Sequence, residues 1–168
     1  MIEYDPLVIF LVASLFLAIT PGPDNLYVLM QSAVYGYKTG VFITLGLCTG
    51  LLMHTAAVVL GLTLLLLSSP YILPLLKLFG ASYLVYLSWQ SYRAADIDIS
   101  LLNHEALTTF QSYQRGIILN VSNPKVALFF LAFLPQFTNI TQGGLLEQTL
   151  LLGGMFIAIT VIVFTGIA

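Results

Sequence analysis

Charge is what this sequence most lacks. Of its 168 residues only 7% are Asp, Glu, Lys or Arg, where a soluble domain carries roughly a quarter. So few charges cannot cover a water-facing surface, and an aqueous globular domain is excluded. The five Lys and Arg cannot form the basic footprint that phosphates require, which excludes nucleic acid as a partner. Cysteine is reduced to Cys48 inside an apolar run, so neither an intrachain disulfide nor a cysteine metal centre can form. No nucleophile with a matching base and no metal-ligand cluster is visible, so the expectation is no enzyme, no resident metal and no cofactor. A secretory signal peptide would open on positive charge. The start Met1-Ile2-Glu3-Tyr4-Asp5-Pro6 is acidic instead, and the apolar stretch behind it reads as a retained first span.

What is present is hydrophobic length. Apolar residues make up 59% of the chain, and the mean hydropathy is +1.00. About 20 apolar residues cross a bilayer as a helix. Five stretches reach that length, at about 7–33, 41–67, 71–92, 116–137 and 145–168, with a polar connection at about 93–115. Open strands would leave backbone groups unpaired in hydrocarbon, and the alternation of a barrel is missing. The fold class is therefore all-α: a polytopic transmembrane helical bundle, one domain over 1–168, with the lipid bilayer as its solvent. The other connections are short, at Tyr35 to Gly40, Ser68 to Pro70 and Thr138 to Gly144. Lys38 lies in the first connection, and Arg93 and Arg115 bound the third. The positive-inside rule puts these two in the cytoplasm and the N-terminus outside.

Two spans are interrupted. Pro21 and Pro23 lack an N–H and clash with the carbonyls of Leu17 and Ile19, and Pro124 does the same to Asn120. Freed backbone groups survive at membrane depth only when buried in protein or facing a wet cavity. Each break also reads as a new helix start, with Thr20 capping before Pro21 and Asn123 capping before Pro124. Half-helix N-termini carry partial positive charge, which suits a carboxylate. Each break also holds an ionisable residue, Asp24 in the first and Lys125 in the second, and charge at that depth is costly without a function. The breaks fall in spans one and four, which run in opposite directions. Matched interruptions in two inverted halves point to the binding site of a transporter.

Other polar residues read more plainly. Lys77 can snorkel from span three to the headgroups. His54 reads as a hydrogen-bonded interior histidine, and His104-Glu105 as solvated surface. Trp89 and the tyrosines at span ends read as interfacial anchors. Gly46 and Gly50, and Gly36 and Gly40, are small-residue pairs that let helices approach closely.

The run Ile19-Thr20-Pro21-Gly22-Pro23-Asp24-Asn25-Leu26, the segment from Leu76-Lys77 through Gly80-Ala81 to Tyr86-Leu87, and Leu119-Asn120-Val121-Ser122-Asn123-Pro124-Lys125 together resemble the LysE/RhtB family of amino-acid exporters. The resemblance covers nearly the whole chain in order. It implies a secondary transporter of the bacterial cytoplasmic (inner) membrane that moves amino acids or their small derivatives outward, with protons as coupling ion. It also implies six helices in an inverted 3+3 repeat. Five spans are present of those six, so the chain is expected to be truncated before the sixth, and the apolar face left open would favour a homo-oligomer. The expected substrate-binding residues are Pro21, Gly22, Pro23, Asp24, Asn25, Asn120, Asn123, Pro124 and Lys125. Lys125 would face the substrate carboxylate. Asp24 would face its ammonium group, or pair with Lys125 when the site is empty. The competing readings are an exporter of a metal cation or other inorganic ion, against which the shortage of buried carboxylates argues, and a non-transporting truncated membrane subunit.

Overall fold

The computed structural model describes residues 4–68, 71–93, 107–139 and 143–168. Lipid-facing chemistry shows in how the side chains are sorted. Large apolar residues such as Val8, Ile9, Val12, Phe16, Leu60, Val85 and Ile162 stand exposed, while Ser14, Asp24, Gln31, Thr44, Asn120, Asn123 and Thr160 are buried. A water-soluble protein sorts the other way. The protein is an all-helical integral membrane protein.

The first span is two helices, α1 (Tyr4–Ile19) and α2 (Pro23–Tyr35), bent by 54° at their junction. The expected cap at Thr20 does not form. Thr20 Oγ1 instead donates to the Phe16 carbonyl at 2.6 Å, closing the end of α1. The N-cap of α2 is Gly22, with Pro23 as first helical residue. The reason is local: the residue before a proline is driven out of the helical region, and Gly22 is extended at φ -154° and ψ 175°. A helix begun at Pro21 could not continue through it.

The connection expected from Tyr35 to Gly40 shrinks to one residue. Gly36 has φ +91°, a conformation that favours glycine, and α3 (Tyr37–Ser68) starts directly after it. Gly36 therefore turns the chain rather than packing helices, and nothing lies within 4 Å of a Cβ placed there. α4 (Ile72–Arg93) follows. The polar connection also ends earlier than expected, because α5 (Thr109–Val121) begins at Thr109 rather than Gly116. Thr108 and Gln111 form a reciprocal capping box.

The second break lies where expected. α6 (Pro124–Leu128) begins with Asn123 as N-cap, whose side chain accepts from the Lys125 amide, and the two halves are bent by 51°. Beyond it the helix does not run evenly to Phe137. Residues Phe129–Phe133 form a wider π turn and Leu134–Phe137 a tighter 3-10 turn. Pro135 cannot donate to the carbonyl of Leu131, and Gln136 Nε2 supplies a donor to Ala132 at 2.7 Å. The last helix is α7 (Leu145–Ile167).

Among the described residues, α3 and α7 are long and apolar enough to cross a membrane, and each bent pair can count as one further span. The central packing is α3 against α5. A Cβ on Gly46 would meet the Tyr113 carbonyl and come within 2.9 Å of Gly116 Cα, so backbone rests on backbone there. Two apolar clusters fill the interior. One gathers Phe10, Leu51, Phe129, Phe130, Leu134 and Phe156. The other gathers Val28, Ile43, Leu47 and Phe164. Lys77's side chain and His104-Glu105 lie outside the described residues.

Candidate functional site

The two breaks meet. Asn123 Nδ2 donates to Asp24 Oδ2 at 2.8 Å, joining the start of α2 to the start of α6 across the bundle. Lys125 Nζ donates to the Thr20 carbonyl at 2.9 Å, at the end of α1. Asn25 Nδ2 donates to the Ala18 carbonyl at 2.7 Å. Prolines at the break leave the last carbonyls of α1 without intrahelical partners, and that end carries partial negative charge. A lysine ammonium and an asparagine amide supply what the helix cannot.

The second break is served in the same way. Pro124 takes the usual donor away from Asn120, and two substitutes arrive. The Asn123 amide donates to the Asn120 carbonyl at 3.0 Å. His54 Nε2 lies 3.2 Å from the same oxygen and must be the donor, since a carbonyl only accepts. The interior histidine expected from the sequence is thus hydrogen-bonded, and its ring also lies 5.7 Å from that of Phe130.

Asp24 and Lys125 do not pair with each other. The carboxylate is held by the Asn123 amide and the ammonium by the Thr20 carbonyl, and both residues line one cavity. Asn25, Asn120 and Asn123 line it as well. Pro21, Gly22, Pro23 and Pro124 do not. The three prolines are exposed and act by breaking the helices. Gly22 sits beside the lysine, and a Cβ there would lie 3.6 Å from Lys125 Nζ. The N-terminus of α6 is less open than the sequence suggested, because Asn123 Oδ1 already takes the Lys125 amide at 3.0 Å.

The apolar wall comes from Leu47 and Leu51 of α3, Val126 of α6, and Phe156 and Phe164 of α7, so the cavity lies where the two apolar clusters meet. Leu47 is ten residues into α3, about 15 Å along its axis, which is close to half of a roughly 30 Å hydrocarbon layer. The cavity is about 30 Å³, where one water requires roughly 10–15 Å³ by the same measure. In this conformation the cavity is partly open, with room for water-sized occupants. Among the described residues no three His, Cys, Asp or Glu side chains converge as metal ligands.

Comparison with known proteins decides the family. The family described as LysE type translocator matches over residues 15–168. The chain belongs to that family. It is 35% identical to the homoserine/homoserine lactone efflux protein of Salmonella typhimurium, over 95% of this chain and 77% of that protein. It is 31% identical to the leucine efflux protein of the same organism, over 79% of this chain and 63% of that one. It is 29% identical to the membrane protein YrhP of Bacillus subtilis, over 88% and 74%. No solved structure matches the chain. LysE translocators are transporters rather than enzymes.

Within this LysE translocator, sequence reasoning missed the contribution of α7. Phe156, Thr160 and Phe164 recur every four residues and turn one stripe to the cavity. Thr160 is the hydroxyl in that stripe and donates to the Phe156 carbonyl at 2.9 Å. A polar residue in register with two aromatics was the available sign, but helix rotation decides which stripe faces inward.

Proposed function

We propose that the protein exports amino acids or their small derivatives from the cytoplasm, binding them in the cavity between the two broken spans. The observation that carries this reading is the meeting there of a buried carboxylate, Asp24, and a lysine ammonium, Lys125, each held by the opposite break rather than by the other. A zwitterion presents the complementary pair of charges. Lys125 would exchange the Thr20 carbonyl for the substrate carboxylate, and Asp24 would receive the ammonium group. Binding pockets at helix interruptions near the bilayer midplane are a general feature of secondary transporters. The names of the efflux relatives from Salmonella typhimurium support an amino-acid class of solute.

Protons are the proposed coupling ion, with Asp24 as the carrier, since it is the buried carboxylate of the site. The protein would lie in the bacterial inner membrane with its N-terminus outside.

The test is export of labelled amino acids from cells expressing the protein. Asp24→Asn and Lys125→Ala should each lower flux by tenfold or more, the order expected when a charge-assisted hydrogen bond is lost. Asp24→Asn should also make the remaining flux indifferent to an imposed proton gradient. Wild-type flux in both variants would remove the proposed site.

A further inference from the structure

Two acceptor atoms at the cavity are used by nothing in the protein. Asp24 Oδ1 and Asn120 Oδ1 are both buried without a hydrogen-bond partner, on residues only 5% and 2% exposed. Both residues line the same cavity, and they come from different broken spans. Buried acceptors are normally satisfied, and an unsatisfied one calls for an explanation. Their neighbouring atoms are committed elsewhere. Asp24 Oδ2 takes the Asn123 amide at 2.8 Å. The main-chain oxygen of Asn120 faces His54 at 3.2 Å. The ammonium of Lys125 is drawn to Thr20. The Asn120 side chain is seated against the bare backbone of Gly50, where a Cβ would come within 2.6 Å of Oδ1.

We propose that Asp24 Oδ1 and Asn120 Oδ1 form a subsite for the primary ammonium group of the exported solute, with Asn120 as a specificity-determining residue. This rests on the amino-acid export reading and extends it. An ammonium carries three donors. One goes to the carboxylate and one to the amide oxygen. The third goes to Thr160 Oγ1, whose proton is spent on Phe156 and whose lone pairs remain. A protonated tertiary amine keeps one donor and leaves two of the three acceptors unpaired. An N-acylated amine loses the charge as well. The subsite selects primary amines whether or not a free carboxylate accompanies them, because Lys125 serves the carboxylate separately. His54 is a positioning residue that fixes Asn120 through its carbonyl.

The experiment uses the full chain in proteoliposomes. The probes are L-homoserine and L-leucine, each as free amino acid, as methyl ester and as N,N-dimethyl derivative. Flux of at least one free amino acid through the wild-type protein upholds the export reading, and no flux of either overturns that reading together with the subsite. Given flux, the wild type should favour the primary amine over its dimethyl derivative by about tenfold or more, the worth of a hydrogen bond to a charged group. Asn120→Leu keeps the bulk and removes the acceptor, and that preference should fall to about threefold or less. Asn120→Asp adds a carboxylate, and the ratio of ester to free amino acid should rise about tenfold, since a second negative charge favours a cation over a zwitterion. Flux with both ratios unchanged in both variants overturns the subsite while leaving amino-acid export standing.

Discussion

Asn123 carries two connections on one side chain. Its Nδ2 reaches Asp24, and its Oδ1 accepts the Lys125 amide and so caps α6. Asn123→Ala removes both. Losing the cap costs about 1 kcal/mol, and leaving the Asp24 oxygen without its amide costs about 1–3 kcal/mol more. Thermal unfolding in detergent should show a clear drop in midpoint, and export should fall at least tenfold. Asn123→Asp separates the two effects. It keeps an acceptor for the cap but sets a second carboxylate against Asp24, so export should fall further than stability does. If Asn123→Ala melts and exports as the wild type does, the bridge between the breaks has no energetic role. At this scale the sequence was informative where chemistry is local: the cap at Asn123 and the ionisable residue in each break. It showed that His54 would be hydrogen-bonded but not that its partner is the Asn120 carbonyl, 66 positions away. It did not reveal that Lys125 would dock on the Thr20 carbonyl, because that contact joins residues 105 positions apart.

Among the elements, the breaks were legible because proline acts on carbonyls of its own helix. The start of α2 was misplaced at Pro21 behind a Thr20 cap: the Phe16 carbonyl takes the Thr20 hydroxyl instead, and Pro23 drives Gly22 into the extended conformation from which the helix begins. The capping box of Thr108 and Gln111 stood in the sequence as Thr-x-x-Gln and would have placed the start of α5. The π turn before Pro135 had no such sign, since widening the helix is one of several ways to absorb a proline. The GxxxG pair on α3 was read as a packing surface, and it is one: Gly46 meets Gly116, and Gly50 meets Asn120. A side chain at Gly116 must push α3 and α5 apart. Its Cβ would strike the Ile43 carbonyl and lie 3.0 Å from Gly46 Cα. Gly116→Val should destabilise the protein by about 1–3 kcal/mol or more and reduce its yield in membranes. Gly154→Ala, where nothing lies within 4 Å, should leave stability unchanged or slightly raised. Equal stability of the two variants would contradict close backbone contact between α3 and α5.

For the whole molecule, composition alone gave the class. Scarce charge and long apolar runs required lipid as solvent, and the apolar exterior with its buried Asp, Asn, Gln and Thr follows from it. What composition could not give is how the interior is layered. The cavity, largely apolar but holding Asp24, Lys125 and three asparagines, sits between the cluster around Phe129 and the cluster around Phe164. At about 30 Å³ it has room for water-sized occupants, so binding of an amino acid there requires its lining to move apart. The proposed function needs a water-accessible, substrate-binding hollow at the meeting of the breaks. Thr160 reports on it directly, because it lines that hollow on α7. In a Cys48→Ala background, Thr160→Cys should be placed in the membrane-embedded protein and its reaction with a small charged thiol reagent timed. Such a hollow requires that the thiol reacts, since charged reagents reach only water-facing sites, and that an exported amino acid slows the reaction severalfold with the concentration dependence of export. A thiol that reacts at one rate whatever amino acid is present, or that never reacts, would contradict it.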